Sequence, residues 1–217
     1  DSDVPGWVYQ RSARVYQQFR GHGGTTLVAA LLKENRLSFW CVGDSDLFLL
    51  RENKLYGLNA RQEFKNDLIL RALDGAFPVE EAFQDPQAGA LSEYIGKEEV
   101  TCDYTRMPFL LQPEDALLLC SDGVSDTLTL KQIREAMALS SQACCDKLEE
   151  EILAAGKPGQ DNYTAIALKY HGKIRRNHNG SEKVIEQAGC CHPAAGYWPG
   201  RRRVRRIGPG RRGRYGS

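Results

Sequence analysis

Apolar residues come in short runs separated by hydrophilic turns. TTLVAALL (25–32), LSFWCV (37–42), DLFLLR (46–51) and LYGL (55–58) are interrupted by segments such as KENR and ENK. This spacing predicts a meander of antiparallel strands with hairpin connections. LVAALL and SFWCV are apolar almost throughout, which predicts strands covered on both faces. Further on, RMPFLL (106–111), the turn QPED and ALLLCS (116–121) predict a second hairpin that points at Asp122, and residues 163–170 read as a last strand.

A helical period replaces the alternation elsewhere. Trp7, Tyr9, Val15, Tyr16 and Phe19 fit an amphipathic helix with an imperfect period, ended by Gly21, Gly23 and Gly24. QEFKNDLILRALDG predicts a helix inside the looser stretch 61–96, whose Pro/Gly-punctuated remainder is expected on the surface. Two more helices are expected at Leu130–Met137 and Ser141–Ala155, where Leu148, Ile152 and Ala155 recur at helical spacing. Strands, then helices, then a strand again, with no regular alternation, predict an α+β body with helices packed on antiparallel sheets.

The net charge of +1 conceals a division. Residues 1–172 hold 17 basic and 26 acidic residues, a balance of −9, whereas 173–217 hold 12 basic and 2 acidic, a balance of +10. The expected organisation is therefore a domain over 1–172 and a basic, Arg/Gly-rich disordered tail over 173–217. Such a tail has the chemistry to contact RNA, acidic lipid or acidic protein, with Trp198 and Tyr215 available for stacking, or it serves only to solubilise.

No apolar run approaches the roughly 18 residues of a membrane span, and DSDVPGWVYQ lacks a secretory pattern. Of the seven cysteines, Cys41 and Cys120 sit in apolar runs and read as small buried thiols, which favours a cytoplasmic, reducing location. Cys144-Cys145 and Cys190-Cys191-His192 lack the two-residue spacing by which a cysteine pair chelates zinc from a turn.

Carboxylates stand where strands are expected to end. CVGDSD carries Asp44 and Asp46, LLLCSDGVSD carries Asp122 and Asp126, and PGQDNYTAIAL carries Asp161. Any one of them alone reads as turn chemistry, since Asp bonds to nearby backbone. Gathered by sheet packing, they would form an oxygen-rich site for Mg²⁺ or Mn²⁺. Asp46 is expected to face solvent further along its strand.

The ordered series GTTLVAALL, VGDS, LLLCSDGVSD and GQDNYTAIAL resembles the metal-dependent protein phosphatases of type 2C (PPM), small bacterial form, over residues 23–170. The resemblance implies an antiparallel β-sandwich flanked by helices (αββα). It also implies hydrolysis of phosphoserine and phosphothreonine in proteins by direct attack of metal-bound water, with two Mn²⁺ or Mg²⁺ ions as cofactors and a third, weaker ion. Carried over by position, Asp122 and Asp161 match ligands of the catalytic ions, and Asp44 and Asp126, with Asp122, match the cluster of the third. Phosphorylated proteins and a cognate Ser/Thr kinase system are the implied partners of a monomeric enzyme, and residues 61–96 match a variable flap beside the site.

Two departures stand out. The family's phosphate-binding Arg, Glu-Asp pair and Asp-Gly-His/Met-Gly-Gly motif, which brings the bridging carboxylate, have no counterpart before Gly24-Thr25-Thr26. Gly21-His22-Gly23-Gly24 imitates the last of these but has Arg20 at the position of the Asp, so His22 is expected to be a loop residue. The chain is accordingly expected to be N-terminally incomplete, with weak or no activity alone. The alternative expectation is a non-catalytic phosphatase-like module whose basic tail contacts nucleic acid or acidic partners. The second departure is Asp46, where the family commonly has Arg after Gly-Asp-Ser.

Overall fold

A computed structural model of the protein describes residues 4–172 and 189–191. Helix α1 (Val4–Phe19) is followed by the hairpin of β1 (Leu27–Lys33) and β2 (Arg36–Val42), in register from Leu27 opposite Val42 to Lys33 opposite Arg36. A second hairpin joins β3 (Asp46–Arg51) to β4 (Lys54–Gly57). Helices α2 (Phe64–Leu73) and α3 (Val79–Gln84) lead to the short β5 (Asp103–Tyr104) and β6 (Phe109–Leu110), then β7 (Asp115–Cys120). After it come α4 (Asp122–Ser125), α5 (Leu130–Met137), α6 (Ser141–Ala155), β8 (Ala165–Tyr170) and β9 (Gly189–Cys191).

The strands form two antiparallel sheets, not one meander. The first has the order β1-β2-β5, with β6 also on β2; the second has the order β4-β3-β7-β8-β9. The chain changes sheet at Gly43-Asp44-Ser45. Gly43 has φ of 100°, and a Cβ there would lie 2.5 Å from the Thr26 methyl, so both the turn and the packing require glycine. The expected second hairpin is corrected in the same way. Residues 109–110 pair with β2 and residues 115–120 with β3 and β8, so the QPED turn passes from one sheet to the other.

Alternation along β3 and β7 explains the layers. Leu47, Leu49, Leu117 and Leu119 face the first sheet and meet Leu37, Phe39 and Cys41 of β2. Phe48, Leu50, Ala116, Leu118 and Cys120 face the other way, onto Ile133, Met137, Leu148 and Ile152 of α5 and α6. DLFLLR and ALLLC are apolar at successive positions because both faces are covered. Each fully buried leucine contributes about 2 kcal/mol. LVAALL, by contrast, lines the rim: β1 is an edge strand, and Leu31 is 53% exposed, so the expected two-sided burial does not hold there. On the first sheet's outer side, Val8 of α1 packs with Val42, Ile95, Val100 and Cys102.

The helices start and stop where local chemistry dictates. Thr129 and Gln132 form a reciprocal capping box at the start of α5, and Gly156, at φ 54°, ends α6 in the left-handed region. Among the described residues, no helix is long and apolar enough to cross a membrane. Apart from Gly189–Cys191, which pair with β8, the expected tail lies outside the described residues.

Candidate functional site

One end of the second sheet collects the carboxylates. The antiparallel register puts Asp46, the first residue of β3, opposite Cys120, the last of β7. The chain then turns through Ser121 into α4, which starts at Asp122 and ends beside Asp126. Asp161 precedes β8, whose Ala165 lies opposite Cys120 at this same end. Ser121 and Thr164 lock the two segments: the Ser121 N–H donates to the Thr164 carbonyl (3.0 Å) and the Thr164 N–H to the Ser121 hydroxyl (3.0 Å).

Two residues hold the Asp122 and Asp161 loops against each other. A Cβ on Gly123 would sit 2.4 Å from the Asn162 carbonyl oxygen, so only glycine permits this approach of the backbones. Gln160 then bridges them through its side-chain amide, which donates to the Gly123 carbonyl (3.1 Å) and to the Asp161 carbonyl (3.0 Å). Thr127 fixes the other end of that amide by donating to Gln160 Oε1 (2.8 Å). Each aspartate spends one oxygen on the next N–H: Asp122 Oδ1 accepts from Gly123 (2.8 Å) and Asp161 Oδ1 from Asn162 (2.7 Å).

The electrostatics are those of a site short of positive charge. Burial raises the Asp122 carboxyl above the usual range, and the neighbouring Asp161 and Asp126 carboxylates raise it further. Asp44 is raised by burial and then by Asp122. Like charges kept this close favour a bound cation. Among the described residues, however, no three His, Cys, Asp or Glu side chains converge tightly enough to hold one ion. Asp122 and Asp161 offer oxygen donors of the type a hard divalent ion takes and lie within each other's field, but they do not make a complete ligand set.

Asp46 and Asp126 are differently engaged. Arg61, in the β4–α2 connection, donates from Nε and Nη2 to the Asp46 carboxylate (3.1 and 2.8 Å), from Nη1 to Asp126 (2.7 Å) and Glu63 (3.1 Å), and from Nη2 to the Ser125 hydroxyl (2.6 Å). Ser125 in turn donates to Asp46. The expectation that Asp46 faces solvent is therefore corrected: it is 8% exposed and held by a guanidinium. Asp126 does not join Asp44 and Asp122 around a shared position; its carboxylate is turned to Arg61. Lys65 on Glu63 (2.6 Å) and Lys157 on the Asp126 carbonyl (3.1 Å) add positive charge at the rim. His22 is an exposed loop residue, as expected.

Arg61, Glu63, Ser125, Gly123 and Gln160 carry no signal in the sequence pattern that marks them for the site. The one hint is adjacency: Gly123, Ser125 and Gln160 each stand next to an aspartate of the series.

An αββα arrangement of two antiparallel sheets with helices, and aspartates gathered at one end, defines the class: the chain is a relative of the PPM-type serine/threonine protein phosphatases. It is 34% identical over 146 residues to serine/threonine protein phosphatase PstP of Mycobacterium tuberculosis, covering 66% of this chain and 27% of that protein. It is 30% identical over 148 residues to serine/threonine phosphatase stp of Listeria welshimeri, covering 67% and 56%. Among solved structures, Mycobacterium tuberculosis PstP/Ppp superposes with a TM-score of 0.60 at 30% identity, over 72% of this chain and 66% of that one. The catalytic domain of PstP in complex with two manganese ions gives a TM-score of 0.57 at 28% identity, over 72% and 64%. No protein-family model matches the chain. The chain spans just over half the length of the Listeria relative and about a quarter of that of PstP.

Proposed function

We propose that the chain is part of a metal-dependent protein serine/threonine phosphatase acting on phosphoserine and phosphothreonine proteins, with Asp122 and Asp161 as metal ligands and Asp44 supporting their field. The observation that carries this reading is the mutual clamping of the Asp122 and Asp161 loops by Gly123 and Gln160, at the end of the fold shared with a manganese-bound relative. Bound Mn²⁺ or Mg²⁺ would supply charge for phosphoryl oxygens and a water of lowered pKa. The chain's own residues do the rest. The backbone N–H groups of Gly123 and Asn162 each hold one oxygen of Asp122 and Asp161, and the unbalanced charge of the two neighbouring carboxylates favours the ion over bulk water. Burial pushes the Cys41 and Cys144 thiols up to about 12 and raises Cys120 as well, so these thiols stay protonated and take no part as nucleophiles.

The test is Mn²⁺ binding by calorimetry together with phosphate release from a phosphothreonine peptide. We expect Mn²⁺ binding and slow, Mn²⁺-dependent release, both lost in Asp122→Ala. Binding and release that survive in Asp122→Ala would overturn the assignment. A second reading, a phosphatase-like module that binds without hydrolysing, is favoured by one observation: among the described residues no three metal-ligating side chains converge. Mn²⁺ binding without any release from the peptide would select it.

A further inference from the structure

Arg61 has all its donors in use. A guanidinium carries five N–H groups. Here Nε faces Asp46, Nη1 faces Asp126 and Glu63, and Nη2 faces Asp46 and Ser125. Its side chain is only 24% exposed, and the residues it joins come from β3, α4 and the β4–α2 connection. A phosphate-binding arginine would keep donors aimed at open space, so this geometry is not that of a substrate clamp. A solvated surface pair would join two residues, not four acceptors drawn from three segments.

We propose that Arg61 is a built-in cation that takes up Asp126, one of the carboxylates that the resemblance assigns to the accessory ion, together with Asp46, so that this chain holds no accessory metal at Asp126. The disagreement with the third-ion position implied by the resemblance is then physical. Asp126 Oδ1 accepts from Nη1 at 2.7 Å, and a divalent ion bound at this carboxylate would meet the guanidinium's positive charge across a few ångströms. Asp46 has the matching role. Where the resembled family carries a positive residue after Gly-Asp-Ser, this chain has a carboxylate, and the positive charge arrives from Arg61, 15 residues further on. The arrangement ties the entry of the 61–96 segment to the carboxylate end without any ion.

The experiment counts Mn²⁺ bound per chain, by the electron paramagnetic resonance of free Mn²⁺, with thermal unfolding alongside. In the wild-type background, Asp126→Asn is expected to leave the number of bound ions unchanged. Arg61→Ala is expected to lower the melting temperature without metal, to gain one Mn²⁺ per chain, and to recover part of the lost melting temperature when Mn²⁺ is added. The double variant Arg61→Ala, Asp126→Asn should lose that extra ion. Arg61→Lys keeps a cation in place and should bind no extra ion, which keeps the test decisive should Arg61→Ala not fold. A wild-type chain that loses one ion on Asp126→Asn, an Arg61→Ala chain that folds but gains none, or an Arg61→Lys chain that gains one would overturn the proposal. These outcomes depend on Asp126 and Arg61, whereas the phosphatase reading stands or falls on Asp122.

Discussion

The β3–β7 pair carries an arginine–aspartate contact at each end, and the two ends differ in their charge balance. At the far end, Arg51 grips Asp115 through Nε (2.9 Å) and Nη2 (2.5 Å), and the Gln112 N–H donates to the same carboxylate (2.7 Å). Phe109 stacks 4.9 Å beneath the guanidinium, and Asp115 is 1% exposed. One charge meets one charge, with the remaining lone pairs used by backbone. At the near end Arg61 meets Asp46, Glu63 and Asp126, while Asp44, Asp122 and Asp161 stand beside them. Balanced pairs of this kind hold a fold together; an unbalanced group destabilises it until something positive arrives.

That contrast can be broken by mutation. The largest effect is expected for Asp115→Ala, which leaves Arg51 partly buried without its partner and should cost about 3–5 kcal/mol in urea unfolding. Mn²⁺ affinity should not change; a joint loss of both would mean that the far end is not merely structural. Gly123→Ala comes next. Its Cβ would press on the Asn162 carbonyl, so a cost of about 1–3 kcal/mol is expected. Unlike Asp115→Ala, it should also weaken Mn²⁺ binding, because the Asp161 loop must move away from Asp122.

The smallest effect has the opposite sign. Asp122 has its folded pKa raised, so its protonated form favours the fold: that contribution is complete below about pH 4 and is lost as pH rises through the raised value. Asp122→Asn should therefore be more stable than wild type at pH 7 without divalent ions, by under about 1 kcal/mol given solvent screening. The gain should vanish below about pH 4. A loss of stability at neutral pH would show that Asp122 is already neutralised, and the contrast between the two ends would fail.

How much of this was legible in the sequence varies with the range of the interactions. Helices α5 and α6 begin and end where the local period puts them, and the Thr129 capping box and the left-handed Gly156 agree with those bounds, because capping and periodicity act within a few residues. The strand segments were legible too, but not their partners. Alternation says that Leu47 and Phe48 point to opposite sides, yet nothing in DLFLLR states that a second sheet covers one and α5–α6 the other. LVAALL was misjudged for the same reason: its apolarity is that of a buried strand, and only the sheet order makes it an edge.

The sequence by itself determined the segments, the division of charge and the placing of Asp44, Asp122 and Asp161 at strand ends, since these depend on neighbours in the chain. The tertiary structure alone decided that Asp46 is buried and that Arg61 reaches it across 15 residues and Asp126 across 65. It also decided that the Asp122 and Asp161 loops press together through a glycine. Such contacts arise only when two sheets close on each other, and the Coulomb energy that balances or strains the site depends on distances in space, which spacing along the chain does not specify.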